Sequence, residues 1–523
     1  MEASVFGSSQ ARIGIRELGF CGVNRNLGFG RSNNQVWFGW RRRSRVRVAA
    51  MAVRSEGLAV GKEGIRVRRR RSEEEGVRLF VGLPLDAALD RNSAYHSRAI
   101  AAGLRALKLL GLEGVEMPVW WGLVEKEAMG KYDWSGYLTL AKMVQDAGLK
   151  IHVSLCFHAS SDRPKIPLPQ WVSQIGQAQP DIFFADRSGE RHTNCLSLAV
   201  DDLPVLNGKT PLLVYEEFLE SFKSAFSSFL SSTITDISVG LGPDGELRYP
   251  SFPSKRTNRV SGVGEFQCYD KHSLDNLRLH AQLTGNPNWG LGGPHDAPTY
   301  YEMPNSNAFF KESGGSWETP YGNFFLSWYS DQLMSHGERV LSLASRVYDE
   351  YDIALCGKVP LAHEWYRMRS HPSEMTAGFY NTDSRDGYDA VAQMFAKNSC
   401  AMTLPGMNLS DKNLPQDSLS SPELLLAQIK NACKRHGVPV YGENSLSATG
   451  PIGGLDETKK HLSGDDAVLD SFLYQRMGEE FFSPEHFPSF VQMFRSINQP
   501  KLHFDNVPVL DRDEADVAGG LMR

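Results

Sequence analysis

The chain has 523 residues and a formal net charge of −5, longer than a usual single domain although α/β barrels commonly run to such lengths as one unit. Nowhere do about eighteen consecutive apolar residues occur, which argues against a membrane span. Seven scattered cysteines without a CxxC pair argue for reduced thiols in a non-secreted compartment and against a structural zinc.

The charge is unevenly distributed. Residues up to Arg71 hold sixteen Lys and Arg against four acids, leaving the remainder near −17. The runs 41–47 and 68–71 are rich in arginine, and the stretch has no sustained apolar face and no secretory apolar region. This composition reads as an organelle transit peptide, with Val48–Ala52 as the processing neighbourhood. A nucleic-acid-binding arm is the rival reading, but no aromatic or motif context accompanies the arginines. The boundaries that follow are a leader over 1–72, a folded body over 73–500 and a tail over 501–523.

Past the leader, short apolar runs alternate with amphipathic ones. Strands are expected at 78–84, 115–119, 150–158, 234–239, 353–360, 400–404, 438–442 and 472–476. Helices are expected at 96–110, 133–147, 215–229, 324–348, 388–396, 422–436 and 484–497. Phe218, Phe222, Phe226 and Phe229 recur at helical spacing and read as core. Long excursions follow the third and fourth strands. Eight β-then-α units predict an α/β fold of the (β/α)8 TIM-barrel type with long βα-loop insertions and a site at the strands' C-terminal ends.

That rule directs attention to the residues after each strand: His158, Glu246, Lys358 with His363, Glu443 with Asn444, and Arg476. Glu246 lies in the stretch from Gly240 to Pro253, where glycines and prolines end the fourth strand abruptly. Its bland reading is the solvated glutamate of a Pro-Asp-Gly surface turn. Two carboxylates from separate strands facing one pocket are the minimum equipment for glycoside hydrolysis.

The stretch around Glu246 resembles that of the β-amylases, glycoside hydrolase family 14. The likeness continues through Val115-Glu-Met-Pro-Val-Trp-Trp-Gly122, Ile166-Pro-Leu-Pro-Gln-Trp171, Gly264-Glu-Phe-Gln-Cys-Tyr-Asp-Lys271, Phe324-Phe-Leu-Ser-Trp-Tyr329 and Glu374-Met-Thr-Ala-Gly378. The resemblance implies an inverting exo-glucanase fold in which Glu246 is the general acid and Glu443 the general base. It further implies that His158, Lys358, His363 and Asn444 meet an α-1,4-glucan or maltose, and that Arg476 supports the pocket. No cofactor or metal is expected, and neither nucleic acid nor membrane is an expected partner.

Four positions depart from the family pattern. Pro118 stands where a sugar-binding aspartate is expected, Glu364 where a tryptophan is, and Gly406 where a catalytic threonine orients the second glutamate. The loop after His158 is about four residues shorter than the family's closing lid and lacks its glycines, with Asp162 as the stand-in for the lid aspartate. The combination resembles the catalytically degenerate plastid branch of the family. It implies a stromal protein that regulates starch breakdown, by binding another starch-degrading enzyme or the glucan itself. The competing reading is a working β-amylase releasing maltose from non-reducing ends.

Overall fold

The computed structural model describes residues 76–88, 94–160, 164–252, 262–445, 454–463 and 469–498. The leader, the tail and Asp162 lie outside the described residues.

The eight expected strands are present as β1 Arg78–Gly82, β2 Gly114–Trp120, β3 Lys150–Cys156, β4 Ile234–Val239, β5 Ala354–Lys358, β6 Ala401–Leu404, β7 Val440–Glu443 and β8 Ser471–Tyr474. Each pairs in parallel with its sequence neighbours, and β1 pairs with β8 from Arg78 opposite Ser471 to Val81 opposite Tyr474, closing the barrel. Strands buried on both faces read as near-continuous apolar runs, which is why Leu79–Val81 lacks the alternation of a half-exposed sheet.

Register divides the two faces. On β2, Val115, Met117 and Val119 alternate with Glu116, Pro118 and Trp120, and the second set lines the barrel mouth. Pro118 lies opposite Ser154 of β3. The Leu83 amide donates to the Glu116 carbonyl at 2.9 Å, so the backbone groups of 116 and, two residues on, of 118 face β1. That strand's pairing ends with Gly82 opposite Glu116. The donor that proline lacks therefore falls beyond the β1–β2 ladder, where its absence breaks no bond of that ladder.

The barrel's N-terminal end is closed by a polar plug. Arg78 donates to both oxygens of Asp236 at 2.7 and 2.8 Å, and the Tyr441 hydroxyl donates to the same carboxylate at 2.9 Å. Asp236 has no exposed side-chain surface. Burial pushes its carboxyl up, but the Arg78 guanidinium more than offsets this and holds it below the usual range.

Outside the barrel, Phe218, Phe222 and Phe226 are fully buried, with ring centroids 5.2, 5.5 and 5.7 Å from Trp134. Their helix spans Pro211–Ala225 and not 215–229. Thr210 accepts from the Leu213 amide and Pro211 occupies the first turn, so the start is fixed by a cap that the phenylalanine spacing does not reveal. The excursion after β3 contains an antiparallel hairpin, Phe183–Ala185 with Arg191–Leu196, which the strand pattern did not predict. Among the described residues no helix is long and apolar enough to cross a membrane.

Candidate active site

A cavity of about 650 Å³ opens among the ends of the strands and is lined by Pro118, His158, Glu246, Lys358, Glu443 and Arg476. Six of the residues singled out by sequence thus share one space. An adjoining cavity of about 340 Å³ takes His363, Glu364 and Gly406, and Glu246 borders both. Asn444 lines neither. Its amide donates to the Gln475 carbonyl at 3.0 Å and its carbonyl accepts from the Gln475 amide at 2.7 Å, so it ties the end of β7 to the chain after β8.

Glu246 is placed by an abrupt turn after β4. Residues 243–245 make one 3-10 turn with Asp244 in the left-handed region at φ 54°. A Cβ on Gly242 would stand 2.7 Å from the Glu246 carbonyl oxygen, so the turn closes only with glycine there. Beyond the carboxylate the chain is pinned on both sides. Leu247 donates its amide to the Lys358 carbonyl at 2.8 Å, and Tyr249 stacks on Tyr329 with centroids 3.8 Å apart.

The Glu246 carboxylate accepts from Arg248 Nε at 2.7 Å, and the same guanidinium reaches Asp244 at 2.5 Å. Burial pulls Arg248 down, yet Glu246 and Asp244 together keep its pKa above the ordinary arginine value. His158 and His192 border this group. Burial lowers both, His192 to about 4, so neither carries charge near neutrality. His158 Nδ1 is buried without a hydrogen-bond partner.

Glu443 ends β7 and is 4% exposed. Lys358, at the end of β5, stands 2.8 Å from each of its oxygens, and Gln475 Nε2 donates to Oε1. Burial pushes the Glu443 carboxyl up by more than Lys358 draws it down. For Lys358, burial lowers the ammonium, but Glu443 and then Glu246 more than restore it. A carboxylate that is buried, held by one cation and raised in pKa has the character required of a general base.

A third carboxylate was missed. Glu116 is 3% exposed, faces the same cavity and lies 3.4 Å from Arg476 Nη1. The signal was available: it is a lone acid in an apolar strand, two residues before Pro118 and hence on the same face. Gln475 and Asp244 were likewise passed over, although each lies within two residues of one that was named, whereas Arg248 flanks Glu246 in the sequence as a neighbour able to tune its pKa.

Gly406 has φ +80°, and a Cβ there would lie 2.7 Å from Leu361 Cδ2 and 3.1 Å from Leu409 Cδ1. The backbone therefore adopts a course suited to glycine, and apolar side chains occupy the space beside it.

Among the described residues the six cysteines are buried and none forms a disulfide. Burial pushes the thiols of Cys156, Cys195, Cys268, Cys356 and Cys433 up, to about 12 for Cys356 and Cys433, which keeps these five protonated.

A model for glycosyl hydrolase family 14 matches residues 80–499. The chain is 50% identical to "Inactive beta-amylase 9" of Arabidopsis thaliana, over 99% of this chain and 97% of that one. It is 40% identical to "Beta-amylase 1, chloroplastic" of the same species, over 81% of this chain and 76% of the relative. The crystal structure of the catalytic domain of β-amylase from Paenibacillus polymyxa superposes with a TM-score of 0.66 at 25% identity, covering 80% of this chain and 98% of that chain. With the barrel, the paired glutamates and a match across most of its length in agreement, the chain belongs to glycosyl hydrolase family 14, the β-amylase family.

Proposed function

We propose that this protein is a catalytically silenced β-amylase of the plastid stroma that regulates starch breakdown through another starch-degrading enzyme or through the glucan surface. In this reading Glu246 and Glu443 hold the positions of acid and base, and His158, Lys358, His363 and Arg476 those of sugar contacts. The carrying observation is Gly406. Its positive φ strains any side chain there, and Leu361 and Leu409 would have to shift to admit a Cβ, so the position does not readily carry the threonine that the family resemblance expects. Pro118 compounds the loss by putting an apolar ring where an acceptor is expected, and hydrolysis depends on such contacts acting together in the transition state.

The 50% identity to a relative named as inactive supports the same reading. Plastid residence is supported by the arginine-rich leader and by the chloroplastic names of relatives near 40% identity. Asp162 and the short segment around it belong to the same proposal, as the remnant of a lid too short to close.

The alternative, a working exo-amylase, draws on one feature: both glutamates border a single open cavity. Maltose release from soluble starch by the purified protein separates the two. The expected rate is at least about a thousandfold below that of a competent relative, since several positioning groups are lost and each is worth one or more factors of ten. Ordinary turnover that Glu246→Gln abolishes would overturn the proposal.

A further inference from the structure

Glu443 has the burial and the cation of a general base, but its oxygens are already taken. Oε1 accepts from Lys358 Nζ at 2.8 Å and from Gln475 Nε2. Two donors fill the in-plane lone pairs of one carboxylate oxygen. Oε2 is closed to solvent and accepts no hydrogen bond, with Lys358 Nζ 2.8 Å away. A general base must accept a proton from the attacking water, so at least one lone pair has to be open to it.

Gln475 is fixed at both ends. Its backbone amide donates to Asn444 Oδ1 at 2.7 Å and its carbonyl accepts from Asn444 Nδ2 at 3.0 Å, so residue 475 is bound to the residue that follows Glu443. Its side-chain Oε1 accepts from Arg476 Nη2 at 3.3 Å. That contact decides which way the amide points. Turned over, its oxygen would meet the Glu443 carboxylate and its NH2 the guanidinium, two repulsive contacts in place of two attractive ones.

Arg476 is itself steadied, with Nη1 donating to the Leu83 carbonyl at 2.7 Å and lying 3.4 Å from Glu116 Oε2. A continuous chain thus runs from Glu116 through Arg476 and Gln475 to Glu443, and all four residues line the one cavity.

On the reading that this cavity is hydrolytically silent, we propose that Gln475 is a positioning residue that holds Glu443 closed: its amide, aimed by Arg476, occupies the lone pair that a base must offer to water. Silence then has a second cause, in the base itself, independent of the backbone at Gly406. Glu116 acts at one remove, by holding the guanidinium that sets the amide.

Variants of the full chain test this. Gln475→Met keeps the length of the side chain and removes the donor, while Lys358, Arg476 and Glu116, the charged groups facing Glu443, stay in place. The charged form of Glu443 loses a hydrogen bond, so its folded pKa rises further above the unfolded value. Stability from a raised group is present below the unfolded pKa and lost as pH rises through the folded one. In denaturant melts the variant's deficit should therefore be largest at pH 8 and shrink toward pH 5. At pH 8 its unfolding equilibrium constant should rise at least about tenfold, as for loss of one hydrogen bond to a charged group.

Gln475→Ala removes the amide and opens space beside Oε1. Carbodiimide-driven coupling of glycine ethyl ester at pH 6, read by peptide mass spectrometry, should spare Glu443 in the unaltered chain and modify it in this variant, with Glu246 coupled equally in both. Arg476→Lys keeps the charge but not Nη2, and should expose Glu443 in the same way. A pH-independent deficit in Gln475→Met, coupling at Glu443 in the unaltered chain, or no coupling there in either of the other two variants overturns the proposal. Maltose release by the unaltered protein is a separate measurement: ordinary turnover overturns the silent reading, whereas the coupling result is read whatever the rate.

Discussion

Lys358 Nζ stands 2.8 Å from both carboxylate oxygens of Glu443, a contact made across β6 from the ends of β5 and β7. The ammonium is the carboxylate's principal cation, and both groups are largely withdrawn from water. Removing one partner of such a pair typically costs about 3–5 kcal/mol, because the other charge is left buried.

Lys358→Met should therefore destabilise the fold by about that amount at pH 8. Without the ammonium, the Glu443 carboxyl rises further above its unfolded value of about 4.3. A group raised in the folded state contributes stability that is present below the unfolded pKa and lost as pH rises through the folded one. The variant's deficit should thus shrink between pH 8 and pH 5. Adding Glu443→Gln should recover part of the loss at pH 8. Denaturant melts at the two pH values check both statements; a pH-independent deficit would contradict the buried-pair account.

The plug at the opposite end of the barrel behaves in the reverse sense. Asp236 is held below the usual carboxylate range by Arg78, so its contribution is present above the unfolded pKa of about 3.9 and is lost as pH falls through the depressed folded value. Asp236→Asn should cost about 3–5 kcal/mol at neutral pH by leaving Arg78 without its anion, and should flatten the stability profile below about pH 4. Melts from pH 7 to pH 3 measure both effects.

Gly406 limits what a single reversion can achieve. Threonine at φ +80° incurs backbone strain of about 1–3 kcal/mol, before its Cβ meets Leu361 at 2.7 Å. Gly406→Thr should lower the melting temperature and leave maltose release unchanged. Gly406→Thr with Pro118→Asp should also fail unless the 405–409 segment is rebuilt. A measurable gain from Gly406→Thr alone would show that the loop readjusts more easily than its packing implies.

How far the sequence reaches is clear from particular residues. The eight strands were legible because parallel barrel strands are short apolar runs separated by amphipathic helices, and Glu246 and Glu443 because each directly follows or ends such a run. Glu116 escaped notice because attention to strand ends passes over the inward face within a strand. The helix at Pro211 was misplaced because Thr210, and not the phenylalanine stripe, sets its start. The position of Asn444 away from the glutamate cavity depends on its bonds to Gln475, a partner 31 residues later that no local pattern identifies.

The geometry also decides how to separate catalysis from a regulatory role. Replacing both glutamates by amides looks like the natural silent variant, but Glu443→Gln would strip Lys358 of its closest anion and risks the fold. Glu246 is the better target. Its side chain is 18% exposed, and after Glu246→Gln the Arg248 guanidinium keeps Asp244 at 2.5 Å, so no buried cation is orphaned. An amide cannot donate a proton to a glycosidic oxygen, so any hydrolytic role ends with that one substitution. A partner or glucan surface docked elsewhere on the barrel would not sense it. Glu246→Gln should therefore restore normal leaf starch in a null plant and co-purify with the same starch-degrading proteins as the unaltered chain. Failure to complement by a variant that accumulates in the plastid and melts at the unaltered temperature would return the protein to the working amylases.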